Sequence, residues 1–159
     1  GNDEKEILRL AMWASEPIPF DPMEVALHSA YTQSILDDER PHYKMVHEYP
    51  LGGKPPMMTH IFEDTSGNRI IAAKGAPEAL MHVTNLAEGE KKQIENAIKA
   101  LAIDGHRVLG VGEANFSGNN YPATQQEFQF TFKGLVAFYD PPKKTFNQCC
   151  KVSIRLASL

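Results

Sequence analysis

The stretch from Met57 to His82 leaves the backbone few choices. Met57-Met58-Thr59-His60-Ile61-Phe62-Glu63 reads as a strand, and Asp64-Thr65-Ser66-Gly67-Asn68 supplies turn chemistry. Arg69-Ile70-Ile71-Ala72-Ala73 returns as the partner strand, so the two runs form a hairpin. The hairpin delivers the chain to Lys74-Gly75-Ala76-Pro77-Glu78. There Gly75 permits a tight turn, Pro77 presets the first torsion of a helix, and Glu78 suits that helix's positive end. By local chemistry Lys74 is a cation at a strand end beside the first amides of a helix, a place that suits an anion. Most corners of this kind bind nothing, so a ligand reading needs support from elsewhere in the chain.

The flanking segments build outward from this corner. Residues 3–15 carry an apolar stripe of Ile7, Leu8, Ala11, Met12 and Ala14, which predicts a helix with Asp3 as its cap. Pro17 and Pro19 then stop it. Asp21-Pro22-Met23-Glu24 opens a second helix to about Ser34, with Asp21 at N-cap and Glu24 placed to close a capping box. Residues 43–49 are extended, and the prolines at 50, 55 and 56 confine residues 50–56 to a loop or a frayed edge. A helix over 88–103 ends at Gly105, and a strand occupies 106–114. Phe128, Phe130 and Phe132 alternate with Gln129, Thr131 and Lys133, a half-buried strand that continues to Tyr139. Helices mixed with hairpins and adjacent strands give an α+β fold, a twisted antiparallel sheet of about six strands flanked by helices.

Several function classes fall away. A chain of 159 residues is one domain by length. Sixteen basic against twenty acidic residues give a net charge of -4, which argues against a nucleic-acid partner. No apolar run approaches the ~18 residues of a membrane span, so no direct membrane contact is expected. No signal peptide is legible. The only cysteines, Cys149 and Cys150, are adjacent and staple nothing, which fits a reducing compartment. The six histidines form no cluster with zinc-ligand spacing, so no metal site is expected. Gly53-Lys54 lacks the rest of a P-loop, and Gly110-x-Gly112 lacks the third glycine of a dinucleotide fingerprint.

Four motifs stand in one order: Asp21-Pro22-Met23-Glu24-Val25-Ala26-Leu27, Lys74-Gly75-Ala76-Pro77-Glu78, Arg107-Val108-Leu109 and Asp140-Pro141-Pro142-Lys143. Together they resemble the cytosolic nucleotide-binding (N) domain of P-type cation-transporting ATPases, with a calcium-type flavour. The second motif is highly specific, and the resemblance covers residues 3–144. It implies an ATP-binding module that grips the adenosine end of ATP. It also implies residue roles. Glu24 faces the adenine amino group, Tyr49 stacks on the ring, and Lys54 comes five residues later. Lys74 lies deep in the pocket, Gly75 and Ala76 let the backbone approach the ligand, Arg107 lies on the ribose-phosphate side, and Leu109 flanks the ring. Tyr49 read alone is a packed strand aromatic, and Lys54 a solvated loop charge.

The family's phosphorylated Asp-Lys-Thr-Gly-Thr run does not occur here, nor do membrane helices or the actuator domain's Thr-Gly-Glu. The expectation is therefore a cytoplasmic domain of an integral membrane protein, excised from its parent and starting at Gly1. It holds ATP and presents the γ-phosphate to an aspartate in a phosphorylation domain elsewhere. It has no catalytic residue of its own, and magnesium sits on the phosphates only in the full-length protein. Its partners are the phosphorylation and actuator domains. Residues 1–144 are the N domain, and residues 145–159 a poorly ordered start of the return segment. The proline-rich loop at 50–56 keeps a second reading open: a non-catalytic protein-interaction domain on the same scaffold, with no nucleotide binding.

Overall fold

A computed structural model describes residues 2–139 and 152–158. Among these residues, six strands form one antiparallel sheet in sequential order. They are β1 (Lys44–Gly52), β2 (Met57–Glu63), β3 (Arg69–Gly75), β4 (Arg107–Ala114), β5 (Phe130–Tyr139) and β6 (Ser153–Ala157). Four helices accompany them: α1 (Asn2–Trp13), α2 (Pro22–Ser34), α3 (Pro77–His82) and α4 (Glu88–Ile103). The α+β expectation holds.

Strand alternation splits the core into two faces. On β3, Ile70 and Ala72 pack under α1 and α2 with Leu8, Trp13, Leu27 and Val111. Ile71 and Ala73 face the other way, against Leu80 of α3 and the aromatics Tyr49, Phe128 and Phe130. Further along the second face, Leu101 of α4 covers Leu135 and Ala137 of β5. Side chains of this size contribute about 1.5–3 kcal/mol each when fully buried. The two helices on each face are therefore held by packing more than by intrinsic propensity.

Local signals act where the sequence locates them. Asp21 caps α2, its carboxylate accepting from the amides of Met23 (2.9 Å) and Glu24 (3.3 Å). Asp64 organises the β2–β3 turn by accepting from Ser66 and Asn68. Gly105 ends α4 with φ at 83°, the left-handed position that favours glycine. Asp3 lies inside the first turn of α1 rather than before it.

Ser153–Ala157 is a strand on the free edge of β5, with Val136 opposite Leu156 and Phe138 opposite Ile154. An unpaired β5 edge is a row of unmet donors and acceptors, and a short alternating segment can satisfy it. Ile154 and Leu156 then pack against the α1–α2 core. Residues 145–151, with Cys149 and Cys150, and the Asp140-Pro141-Pro142-Lys143 motif lie outside the described residues.

Candidate functional site

Lys74 points to the α1–α2 face. It alternates with Ala73 and Gly75, so it shares a face with Ile70 and Ala72. It is only 6% exposed, in a strand paired on both sides, with Met58 and Val111 opposite it. Its Nζ lies 3.7 Å from Glu24 Oε2. Burial pushes the ammonium's pKa down, and the charges of Glu24, Asp21 and Glu16 oppose that shift. Contrary to its local reading, Lys74 does not sit beside the first amides of α3, because α3 begins beneath the opposite face.

Glu24 does not turn back on Asp21 to close a capping box. Its carboxylate accepts the backbone amide of Glu16 and faces Lys74. The Ser15–Phe20 loop supplies that amide. Glu24 thus joins the loop, the start of α2 and the middle of the sheet.

Arg107 and Leu109 share this face. Leu109 packs half-buried against the α1–α2 core, and the exposed Arg107 reaches Met23, Nη1 to Sδ 3.6 Å. Consecutive residues of α2 therefore touch the two cations: Met23 meets Arg107, and Glu24 meets Lys74. Arg107 is four residues from Val111, the cross-strand partner of Lys74, about 13 Å along β4 at ~3.3 Å per residue. A cleft of about 350 Å³ opens at the Arg107 end, lined by Asp21, Met23, Gly105, Arg107 and Phe138.

Gly75 serves packing. A Cβ there would sit 2.5 Å from Met57 Cα and 2.5 Å from the Pro56 carbonyl oxygen. Its φ is not positive, so close approach of β2, not an unusual turn, requires glycine. Ala76 donates its amide to that same Pro56 oxygen at 3.0 Å, where β3 leaves the sheet.

Tyr49 is not brought to this cluster. It lies on the opposite face, packed with Met57, Ile71, Leu80 and Phe128. Its hydroxyl donates to the Pro122 carbonyl at 2.5 Å, and its ring meets Phe128 edge-on. The buried Gln125 fastens the covering loop, accepting from Thr59 Oγ1 and donating to the Met57 carbonyl, both at 2.7 Å. Lys54 is exposed in the turn after β1. Tyr49→Phe is expected to cost about 1 kcal/mol of stability through the lost hydroxyl bond. It should leave nucleotide affinity within twofold, as urea melts beside a ligand titration will show; a large affinity loss would return Tyr49 to the site.

Asp21, Met23 and Glu16 also belong to this region. The capping pattern marked Asp21 and the first motif contains Met23, but no local signal marked Glu16.

Family comparison agrees with this architecture. The family model described as P-type ATPase, cytoplasmic domain N, matches residues 19–145, and the chain belongs to that family. It is similar to a calcium-transporting ATPase of Bacillus subtilis, 29% identical over 144 residues. It is likewise similar to a probable cation-transporting P-type ATPase of Mycoplasma genitalium, 33% identical over 143 residues. These alignments cover 82% and 84% of this chain, and 16% of each relative. A sodium/potassium exporting P-type ATPase of Schizosaccharomyces pombe is 28% identical over 155 residues, covering 87% of this chain and 15% of that protein. The chain thus spans about one sixth of the length of the relatives it matches. Among the described residues, no helix is long and apolar enough to cross a membrane.

Proposed function

We propose that this chain is the ATP-binding module of a cation-transporting P-type ATPase and that it holds the adenosine end of the nucleotide. The observation that carries the reading is the buried Lys74 held against Glu24, with Arg107 on the same face and an open cleft between the start of α2 and β4. Glu24 is the acceptor for an exocyclic amine. Lys74 and Arg107 supply charge-assisted donors to the ribose-phosphate side. Leu109 gives an apolar wall. Gly75 and Ala76 act indirectly, by keeping β3 against β2. Tyr49 and Lys54 stand apart from this arrangement.

In the parent protein the module presents the γ-phosphate to an aspartate of a phosphorylation domain, with an actuator domain as a further partner. The parent is then an ATP-hydrolysing cation pump and this piece its cytoplasmic, catalytically silent part, with residues 1–144 as the domain. Magnesium belongs to the phosphates. Affinity need not be high, since a millimolar ligand represents only about 4 kcal/mol.

A chemical-shift titration with ATP tests the reading. Signals of Glu24, Lys74, Arg107 and Leu109 are expected to move together and saturate, with little dependence on magnesium. If those signals stay still while the fold is intact, the module reading is lost and an interaction domain takes its place.

A further inference from the structure

We propose that Glu16, Glu48 and His60 form a binding site for a divalent transition-metal ion of the zinc class. The three residues come from the α1–α2 loop, the edge strand β1 and the neighbouring strand β2. One donor atom from each lies within 4.8 Å of the other two.

His60 is the fixed member of the set. Its side chain is fully buried, and Nδ1 lies 3.2 Å from the Trp13 carbonyl oxygen. A carbonyl can only accept, so Nδ1 carries the proton. In a neutral ring Nε2 then presents its lone pair. That nitrogen is buried with no hydrogen-bond partner. Glu48 Oε1 lies 3.5 Å from it and Glu16 Oε1 3.9 Å. A lone pair turned toward two carboxylates is repulsive unless a cation lies among them.

The donor set selects the kind of cation. One imidazole with two carboxylates suits zinc and its neighbours, whereas calcium and magnesium take oxygen ligands alone. Bonds of ~2.0–2.2 Å in a tetrahedron separate donors by about 3.4 Å. The two glutamate side chains, 41% and 40% exposed, can close the remaining gap by rotation while His60 stays fixed. The Trp13 carbonyl is the outer contact that holds the imidazole in the ligating tautomer. Glu16 also donates its amide to Glu24, so an ion here would brace the loop that supports the Lys74 pair.

Calorimetric titration of the chain with zinc chloride tests the site, with long-range nitrogen NMR of His60 as a second readout. One ion per chain is expected, with a shift at His60 Nε2 and a raised melting temperature. Glu16→Gln and Glu48→Gln should each weaken uptake at least tenfold. Both side chains are partly exposed, so circular dichroism should show the fold retained. Uptake insensitive to both substitutions would assign the ion to the other histidines or to Cys149 and Cys150 and overturn the proposal. Absence of saturable uptake also overturns it, as does a His60 Nε2 signal that excess zinc leaves unmoved. None of these outcomes depends on nucleotide binding.

Discussion

Lys74→Met is expected to lower ATP affinity by about ten- to a hundredfold while leaving the melting temperature unchanged or slightly raised. A charge-assisted hydrogen bond contributes about 1.5–3 kcal/mol, and each ~1.4 kcal/mol is tenfold in affinity. The stability side comes from burial. The ammonium sits in a strand paired on both sides, where desolvation outweighs the attraction of Glu24 and lowers its pKa. Methionine keeps the stem and removes the penalised charge, and Glu24 retains the Glu16 amide. Removing one partner of a buried pair usually destabilises, but the lowered pKa of Lys74 already includes the attraction of Glu24, so losing the charge here has no net cost to the fold. Lys74→Ala is a poorer probe, because it removes the packed stem and should cost about 1–3 kcal/mol by opening a cavity.

The same shift sets a pH dependence. Folded Lys74 releases its proton below the ordinary lysine value of 10.5, so at alkaline pH the unfolded chain binds more protons. The Lys74 contribution to stability therefore rises as pH climbs from the folded value toward 10.5, and Lys74→Met should remove that rise. Urea melts across the alkaline range measure it. A large drop in stability for the methionine variant at neutral pH would make Lys74 a structural cation and weaken its assignment to the nucleotide.

Gly75→Ala is expected to destabilise the fold by about 2–3 kcal/mol, the upper part of the range for overpacking. For a chain of this size that is about 5–10 °C in melting temperature. The added carbon would stand 2.5 Å from Met57 Cα and from the Pro56 oxygen, and 2.7 Å from Met57 Cβ. Two of these are backbone atoms, which cannot swing aside, and Met57 is the cross-strand partner of Gly75. Relief must come from parting β2 and β3. Gly89 in α4 is the control: nothing lies within 4 Å of its Cβ position, so Gly89→Ala should be neutral or mildly stabilising. Below the melting temperature the Gly75→Ala protein should bind ATP within twofold of the parent. Intact stability with lost binding would instead mean that glycine makes room for the ligand.

Lys74 and Gly75 mark how far local sequence reaches. Asp21 and Pro22 announced α2 because capping is a contact between near neighbours. Gly105 announced the end of α4, and Asp64 to Asn68 the turn of the hairpin, for the same reason. The Lys-Gly-Ala-Pro-Glu run singled out Lys74, yet its local reading aimed the side chain at α3. Alternation along β3 sends it to the other face, and only the packed helices show which face each residue meets. Tyr49 shows the same limit. Its spacing to Lys54 fits the family pattern, but its position on β1 turns it toward Phe128, away from Lys74.

The sequence by itself determined the α+β class, the helix and strand boundaries near their caps and turns, the family, and the choice of Glu24, Lys74 and Arg107 as candidate site residues. These are carried by contacts within a few residues or by motifs whose order is visible in one dimension. The tertiary structure alone decided that Glu24 meets Lys74 across fifty residues and that Gly75 is small because β2 crosses it. It also decided that Ser153–Ala157 closes the sheet edge and that Glu16, Glu48 and His60 converge. Such contacts depend on sheet register and on which face a helix covers. A one-residue change of register reverses every side chain, so no pattern short of the assembled fold contains them.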